Sequence, residues 1–469
     1  MASTLESKTL QTYIDETPPR PLSAMQWRIW ALAAMGKFFE GMVIFLTGVA
    51  LPLIEKDFSM TAGRAGSVAA ASLFGILVGA SLFGNLADRL GRKLVFITEM
   101  GVFALFVGLT ALAWNVASLT VFLFCVGVAL GADYPTAHLM ISESIPSRYR
   151  GRMVLGAFAF QSVGSLGGVL LGLLVLQVDP TVGAWHWMYA ALVIPGLVVA
   201  CLRTQIPESA HWLISRNAPV AAHRAAKSLL SRSVALVPPP TPGLSHPTRQ
   251  GIQQLFTPQT IRATSLASVP WFLQDLATYG IGIFTPTILA TLFTQEKPDY
   301  ILKDIVATQG AGVIDLFLLI GFLTALPLVD RLGRIPLQII GFVGCGVGLW
   351  IASLSAAVIP TGHELKVFLV FSGFILFNFM TNLGPNAMTY VLAGEVFPVA
   401  FRGIGAGFAA SFAKIGAVLT AFFFPILRHQ IGTANLLYGL VATSLLGALV
   451  TCLLRIEPNG RNLENLGRE

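Results

Sequence analysis

Long apolar runs, separated by short polar breaks, recur along nearly the whole of this 469-residue chain. A helix needs about 20 apolar residues to cross the hydrocarbon core of a bilayer. The runs have that length and predict membrane-spanning helices. Spans fall near 28–50, 66–87, 94–114, 118–141, 153–176 and 186–203, then near 264–292, 310–329, 336–355, 367–391, 402–425 and 433–454. The reading is an all-α membrane protein of twelve transmembrane helices. It divides into a polar amino-terminal segment (1–27), a six-helix bundle (28–203), a linker (204–263), a second six-helix bundle (264–454) and a short tail (455–469). An even number of spans puts both ends of the chain on one side. The amino-terminal segment lacks the apolar core and small-residue cleavage site of a signal peptide, so it is expected to stay in the cytoplasm.

Composition sharpens this picture. The chain is 55% hydrophobic and 11% charged, against about 25% charged residues in an ordinary soluble domain. Its net charge of +7 has a topological origin. About 22 of the 30 lysines and arginines fall on the side of the amino terminus, the linker and the tail, which the positive-inside rule assigns to the cytoplasm. Nucleic acid is therefore not an expected partner; the lipid bilayer is. The linker holds the run Pro238-Pro239-Pro240-Thr241-Pro242, which cannot be helical, and an amphipathic helix is expected over 219–232. The four cysteines stand singly, without metal-ligand or disulfide spacing. No metal or cofactor is expected, and no Ser/His/Asp, metal or phosphate-loop pattern suggests an enzyme.

Two motifs repeat. Asp88-Arg89-Leu90-Gly91-Arg92 returns unchanged as Asp330-Arg331-Leu332-Gly333-Arg334, and Glu143, Pro146, Arg150 and Gly151 return at identical spacing as Glu395, Pro398, Arg402 and Gly403. Matched pairs at equivalent topological positions signal a duplicated six-helix unit. Asp88, Arg92, Glu143 and Arg150, with Asp330, Arg334, Glu395 and Arg402, are expected to form ion pairs that hold the cytoplasmic ends together while the protein faces outward. Gly84-x-x-x-Asp88-Arg89-x-Gly91-Arg92-Lys93 resembles the loop signature of the major facilitator superfamily. Pro207-Glu208-Ser209-x-x-Trp212-Leu213 and Glu457-x-x-Gly460-Arg461-x-Leu463-Glu464 resemble motifs of its sugar-porter-type branch.

Charged groups within spans are costly and mark candidate function. Glu40, Asp133, Asp275, Lys414 and Lys37 stand out, with Tyr134, Gln161, Trp271, Tyr279, Asn378, Asn382 and Asn386 near them in sequence. At 1.5 Å per residue most of these lie about 12–18 Å deep in a core about 30 Å thick, so several helices present polar groups at one level. Trp271, Asp275 and Tyr279 share one face of span 7, and Asn378, Asn382, Asn386 and Tyr390 form a stripe on span 10. Pro135 and Gly384-Pro385 are expected to break spans 4 and 10 there, and Gly280, Gly282 and Pro286 to let span 7 bend. Gly75-x3-Gly79 and Gly164-x3-Gly168-x3-Gly172 suit close helix packing. His138 and Asp315 also lie in spans, without an evident partner.

At the midplane the likeness narrows. Gly131-Ala132-Asp133-Tyr134-Pro135, with Ser142-Glu143 downstream, is similar to the signature of the phosphate:proton symporters, as are Trp271-Phe272-x-x-Asp275-x-x-x-Tyr279, Gly384-Pro385-Asn386 and Lys414-x-Gly416-Ala417. The resemblance implies that Tyr134, Gln161, Trp271, Asp275, Tyr279, Asn386 and Lys414 contact a small anion. Asp133, Asp275 and Glu40 would handle the proton. Where that family has two first-span aspartates, Glu40 stands for the first, Val43 replaces the second and Lys37 adds a charge. The chemistry is coherent: indole, phenol and amide groups donate to an anion, an ammonium neutralises it, and protonating a nearby carboxylate favours anion binding reciprocally. The expected function is proton-coupled symport of a small anion, phosphate-like first and organic acid second, by a monomer in a bacterial inner membrane. A sugar or polyol porter is the alternative, followed by drug efflux and a non-transporting nutrient sensor.

Overall fold

The computed structural model describes residues 21–231, 253–292, 300–357, 363–397 and 402–457. The proline run at 238–242 and the tail beyond 457 lie outside these residues, as do the side chains of Asp88, Asp330 and Arg402. The first bundle comprises α1 (Ala24–Asp57), α2 (Ala62–Leu90), α3 (Arg92–Ala111), α4 (Val116–Ser144) and α5 (Ser147–Val178), closed by the pair α6 (Ala184–Ala190) and α7 (Val193–Thr204). Two short helices follow, α8 (Ala210–Ser215) and α9 (Pro219–Leu230). The second bundle comprises α10 (Ile261–Leu292), α11 (Tyr300–Leu332), α12 (Arg334–Ser353), α13 (His363–Leu383), α14 (Pro385–Glu395) and α15 (Arg402–Leu454).

Among the described residues, ten stretches are long and apolar enough to cross a membrane. The last of them is two helices joined at Gly432, whose φ of 80° is a conformation open to glycine at little cost. Helix α10 has 32 residues, ample for a span, and its polar groups around Gln274–Tyr279 lower its hydropathy. These make up the twelve expected crossings.

The two bundles repeat one packing scheme. Helix α1 runs against α5 as α10 runs against the first part of α15, and α2 runs against α4 as α11 runs against α13. Small residues make these approaches possible. A Cβ at Gly41 or Gly164 would strike backbone across α1 and α5, and one at Gly75, Gly79, Gly127 or Gly131 would strike backbone across α2 and α4. The bundles meet along α2 with α15, α5 with α11, and α1 with α10. There Gly48 abuts the Ile283 carbonyl and Gly66 the Phe422 carbonyl. In α10, Gly280 packs on Thr420 and Phe424 and Gly282 on Phe45, so both glycines serve as contact points in this conformation.

Prolines act unequally. Gly384 has non-helical backbone and separates α13 from α14, as expected. Pro135, by contrast, sits inside a continuous α4. Proline leaves the Gly131 carbonyl four residues before it without its helical donor, yet the helix continues past this gap; in the same turn Thr136 Oγ1 donates to Ala132 O at 2.8 Å. Gly131 lies against Ile76 and Ala80 of α2, and packing by a neighbouring helix lets a membrane helix carry proline without breaking.

Helix α9 has the expected amphipathic pattern, with Ala222, Ala225, Ala226 and Leu229 buried. It docks on the start of α1, where Ser23 Oγ donates to Leu229 O at 2.6 Å. The end of the molecule that carries α8 and α9 is called the linker end below.

Candidate transport site and its supports

The midplane residues of four helices form a closed polar ring. Lys414 Nζ of α15 donates to Tyr279 Oη of α10 at 2.6 Å and to Asp275 Oδ2 at 3.3 Å. Gln161 Nε2 of α5 donates to the same Tyr279 hydroxyl at 3.1 Å and to Glu40 Oε1 of α1 at 3.3 Å. Lys414 closes the ring at 3.7 Å from Glu40 Oε1. Lys37, one turn before Glu40, lies 2.5 Å from Glu40 Oε2 and 2.9 Å from the centroid of the Tyr134 ring, a cation–π arrangement. Two ammoniums thus face two carboxylates, all four residues at most 7% exposed. Helices α1 and α5 belong to one bundle and α10 and α15 to the other, so the ring spans the join.

Aromatic groups cover one flank. Phe158 of α5 stacks on Tyr390 of α14 with ring centroids 4.3 Å apart and planes 16° apart. Trp271 meets Tyr390 edge-on at 6.1 Å. Asn386 joins through the span-10 stripe: its Nδ2 donates to Asn382 Oδ1 at 2.7 Å, and Asn382 donates to Ser162, the neighbour of Gln161, at 2.8 Å. Asn378 is spent differently, donating to Asp315 at 2.9 Å, so Asp315 does have a partner. His138 is exposed.

Asp133 is not in this ring. Its Oδ1 receives Arg203 Nη2 of α7 at 2.6 Å, while Arg203 Nη1 reaches Glu99 Oε1 of α3 at 2.7 Å. The guanidinium also donates to Phe96 O and Leu32 O and faces the Phe96 ring, 3.5 Å from its centroid. Arg203, Asp133 and Glu99 are at most 3% exposed. Asp133 backs onto Gly36, where any Cβ would fall on its carboxylate. This corrects the sequence reading twice. Arg203 is no surface charge of the linker side, because the end of a short helix lets its long side chain turn inward. Glu99 belongs to the buried chemistry although the sequence reading passed over it. A charge inside a predicted span was the signal available for Glu99.

At the linker end the duplicated motifs adopt matching geometry. Arg92 pairs with Glu143 at 3.5 Å, and Arg334 pairs with Glu395 at 3.0 Å. Each of these pairs joins helices of one bundle. Among the described residues, both pairs tie together helix ends at the linker end. Gly91 and Gly333 both have positive φ, 109° and 90°. Just after each, a glutamate caps the next helix: Glu208 accepts from Lys93 N at 3.0 and 3.2 Å. In the other half, Glu457 accepts from Arg334 N at 3.1 Å and Ile335 N at 2.9 Å. A carboxylate at a helix N-terminus satisfies free N–H groups and opposes the macrodipole. The linker and the tail thus perform one task, a correspondence that their different sequence contexts conceal.

Ser209 donates to Glu143 beside Arg92, and His211, whose Nε2 is buried without a partner, lies in the same network. Burial pushes the His211 imidazole below its usual range; Glu143 opposes this, and Arg150 and Arg92 reinforce it. A lowered value means that the neutral imidazole is favoured here, so its contribution is present above the ordinary value of 6.5 and is lost as pH falls below it. Thermal unfolding followed from about pH 7 to about pH 5.5 should therefore show a steeper loss of Tm in the native chain than in His211→Gln. Parallel curves would remove His211 from the pH response.

The family model for sugar (and other) transporters matches residues 29–469. The niacin transporter NiaP of Acinetobacter baylyi is 26% identical over 95% of this chain and 98% of its own length. An Arabidopsis thaliana protein described as a probable inorganic phosphate transporter is 26% identical over 93% of this chain and 92% of its own. Among solved structures, the partially occluded inward open form of the xylose transporter XylE from E. coli superposes with a TM-score of 0.74. It covers 94% of this chain and 100% of its own, at 18% identity, a likeness of fold.

Proposed function

The chain belongs to the sugar (and other) transporter family of the major facilitator superfamily, a multi-pass secondary transporter and not an enzyme, and we propose that it couples a small anion to protons by symport. The observation that carries this reading is the ring of Lys414, Glu40, Tyr279 and Gln161, extended by Lys37 and Asp275.

In that ring the carboxylates occupy the place of the anion. Lys414 and Lys37 are neutralised by Asp275 and Glu40, and an entering anion must compete with them. A proton on either carboxyl removes the competitor and frees an ammonium and the Tyr279 and Gln161 dipoles for the anion. The anion, once bound, makes ionising that carboxyl costlier, so each ligand favours the other. Because the ring joins the two bundles, exchanging internal pairs for substrate contacts alters what holds the bundles together at the midplane. That is the requirement for alternating access around a fixed site. Asp133, tied to Arg203, would enter the proton path from within the first bundle. The basic linker end faces the cytoplasm in this proposal, and a bacterial inner membrane suits the short loops.

Phosphate is the first cargo to test, on the strength of the donor set and of phosphate transporters among the relatives. A planar organic acid is the second reading, favoured by the Phe158–Tyr390 stack and Trp271 beside the ring and by the niacin transporters among the relatives. Neutral sugar fits less well, because it leaves both lysines to their carboxylates.

The test is radiolabelled phosphate uptake into proteoliposomes under an inward proton gradient, with succinate, benzoate, nicotinate and glucose as competitors. Uptake that collapses with the gradient and resists competition supports phosphate. Competition by benzoate or nicotinate moves the cargo to aromatic acids, and absence of any anion uptake sinks the proposal. In the same assay Asp275→Asn, with normal expression, is expected to lower gradient-driven uptake at least about tenfold. Undiminished uptake would take Asp275 out of the coupling.

A further inference from the structure

Helix α11 carries a second set of acidic groups that the ring does not use. Tyr300, Asp304, Thr308, Ala311 and Asp315 follow one another at i, i+4, i+8, i+11 and i+15, so they lie on one face of the helix. That face runs from the end opposite the linker to the membrane interior. Asp304 is 2% exposed and Thr308 0%. Neither carboxylate oxygen of Asp304 has a hydrogen-bond partner, nor does Thr308 Oγ1. Asp315, 1% exposed, has Asn378 as donor and, among the described residues, no cation in contact.

Among the described residues, none offers Asp304 a counter-charge contact. At the mouth, α1 presents Glu55 and Lys56, and α15 presents Arg428. Lys56 lies over the Tyr300 ring at 4.2 Å, and the Tyr300 hydroxyl donates to Pro52 O at 2.6 Å. Arg428 Nη1 is itself buried without an acceptor. Lys303, next to Asp304 in sequence, projects about 100° away around the helix. An ionised carboxylate buried without a hydrogen-bond donor, as Asp304 is, is far costlier than the neutral acid.

We propose that this face of α11 is a proton-binding lane, in which Asp304 takes up a proton at the outer mouth and Asp315 receives it one stage nearer the ring. The proposal rests on the reading of the chain as proton-coupled. The two carboxyls are eleven residues apart, about 16 Å along the helix. Thr308 stands between them, and water entering when the outer side opens completes the connection. The transfer breaks an O–H bond at Asp304 and forms one at Asp315, with no redox change. At the inner end Asp315 is one turn from Leu318, whose carbonyl accepts from the same Asn382 that donates to Ser162. The lane therefore ends at the Asn382–Ser162 contact, one residue from Gln161 of the ring.

Two measurements on the full chain in lipid test it. Infrared difference spectra on stepping the pH need no substrate: Asp304→Asn and Asp315→Asn should each remove a component of the protonated-carboxyl band, and Asp304→Glu should shift one. In proteoliposomes carrying radiolabelled phosphate, Asp304→Asn should lower gradient-driven uptake about tenfold or more while leaving exchange at equal pH within about twofold. Infrared spectra unchanged by both asparagine variants overturn the lane, as does gradient-driven uptake within about twofold of the native chain. If the native chain carries no phosphate, the cargo reading fails and the infrared result alone decides the lane. If Asp304→Asn does not fold, Asp304→Glu supplies the same band assignment.

Discussion

Arg203→Leu is expected to destabilise the protein by about 3–5 kcal/mol, the usual cost of removing one partner from a buried ionic group. The guanidinium donates to Glu99, Asp133 and two backbone carbonyls in a site from which water is excluded. Its loss leaves two buried carboxylates with no cation, beside two carbonyls without that donor. Thermal unfolding of the detergent-solubilised protein, or monodispersity on size exclusion, reads the effect. A triple replacement of Arg203, Glu99 and Asp133 by leucine, methionine and asparagine removes the charges together and should recover much of the loss. If the single variant keeps native stability, the triad is not a structural fastener of α3, α4 and α7. If the triple variant recovers stability but not gradient-driven uptake, Asp133 has a part in coupling distinct from its part in folding.

Lys414→Ala is expected to abolish anion transport with far less effect on stability. Its ammonium touches Asp275, Tyr279 and Glu40 at once, and an anion replacing the carboxylates would gain a charge-assisted contact of about 3 kcal/mol, on the order of a hundredfold in affinity. The measurement is anion affinity by equilibrium binding beside affinity for a neutral solute of similar size. A selective loss for the anion identifies Lys414 as the charge that receives it. Equal losses for both would make the lysine a structural pin between α10 and α15.

The two variants differ in how far their roles could be read from the chain. Lys414, Glu40 and Asp275 were legible because each is a charge deep inside an apolar run, where ionised groups are costly. The triad was half legible. Asp133 stood out for the same reason, whereas Arg203 lies at the end of a span, where positive charge ordinarily marks the cytoplasmic surface. Side-chain direction at a helix end depends on what the neighbouring helices offer, and a count of charges by loop carries no such information. Pro135 teaches the same point for backbone: it was expected to break α4, and the helix runs on through it, packed at Gly131 against α2.

Local order in the chain was enough for the twelve crossings, the duplication of the bundle, the amphipathic α9 and the break at Gly384, because each follows from apolar length, periodicity or a residue's own backbone limits. Tertiary packing alone decided which charges meet. The ring draws on residues 40, 161, 279 and 414 from four helices in two bundles, and the equivalence of Glu208 with Glu457 appears only where each reaches a helix N-terminus. Burial in a low-dielectric interior makes partner choice decisive, since an unpaired charge is costly there. Those partners are set by close helix approaches at glycines such as Gly41, Gly164 and Gly416, contacts between segments that are far apart in sequence.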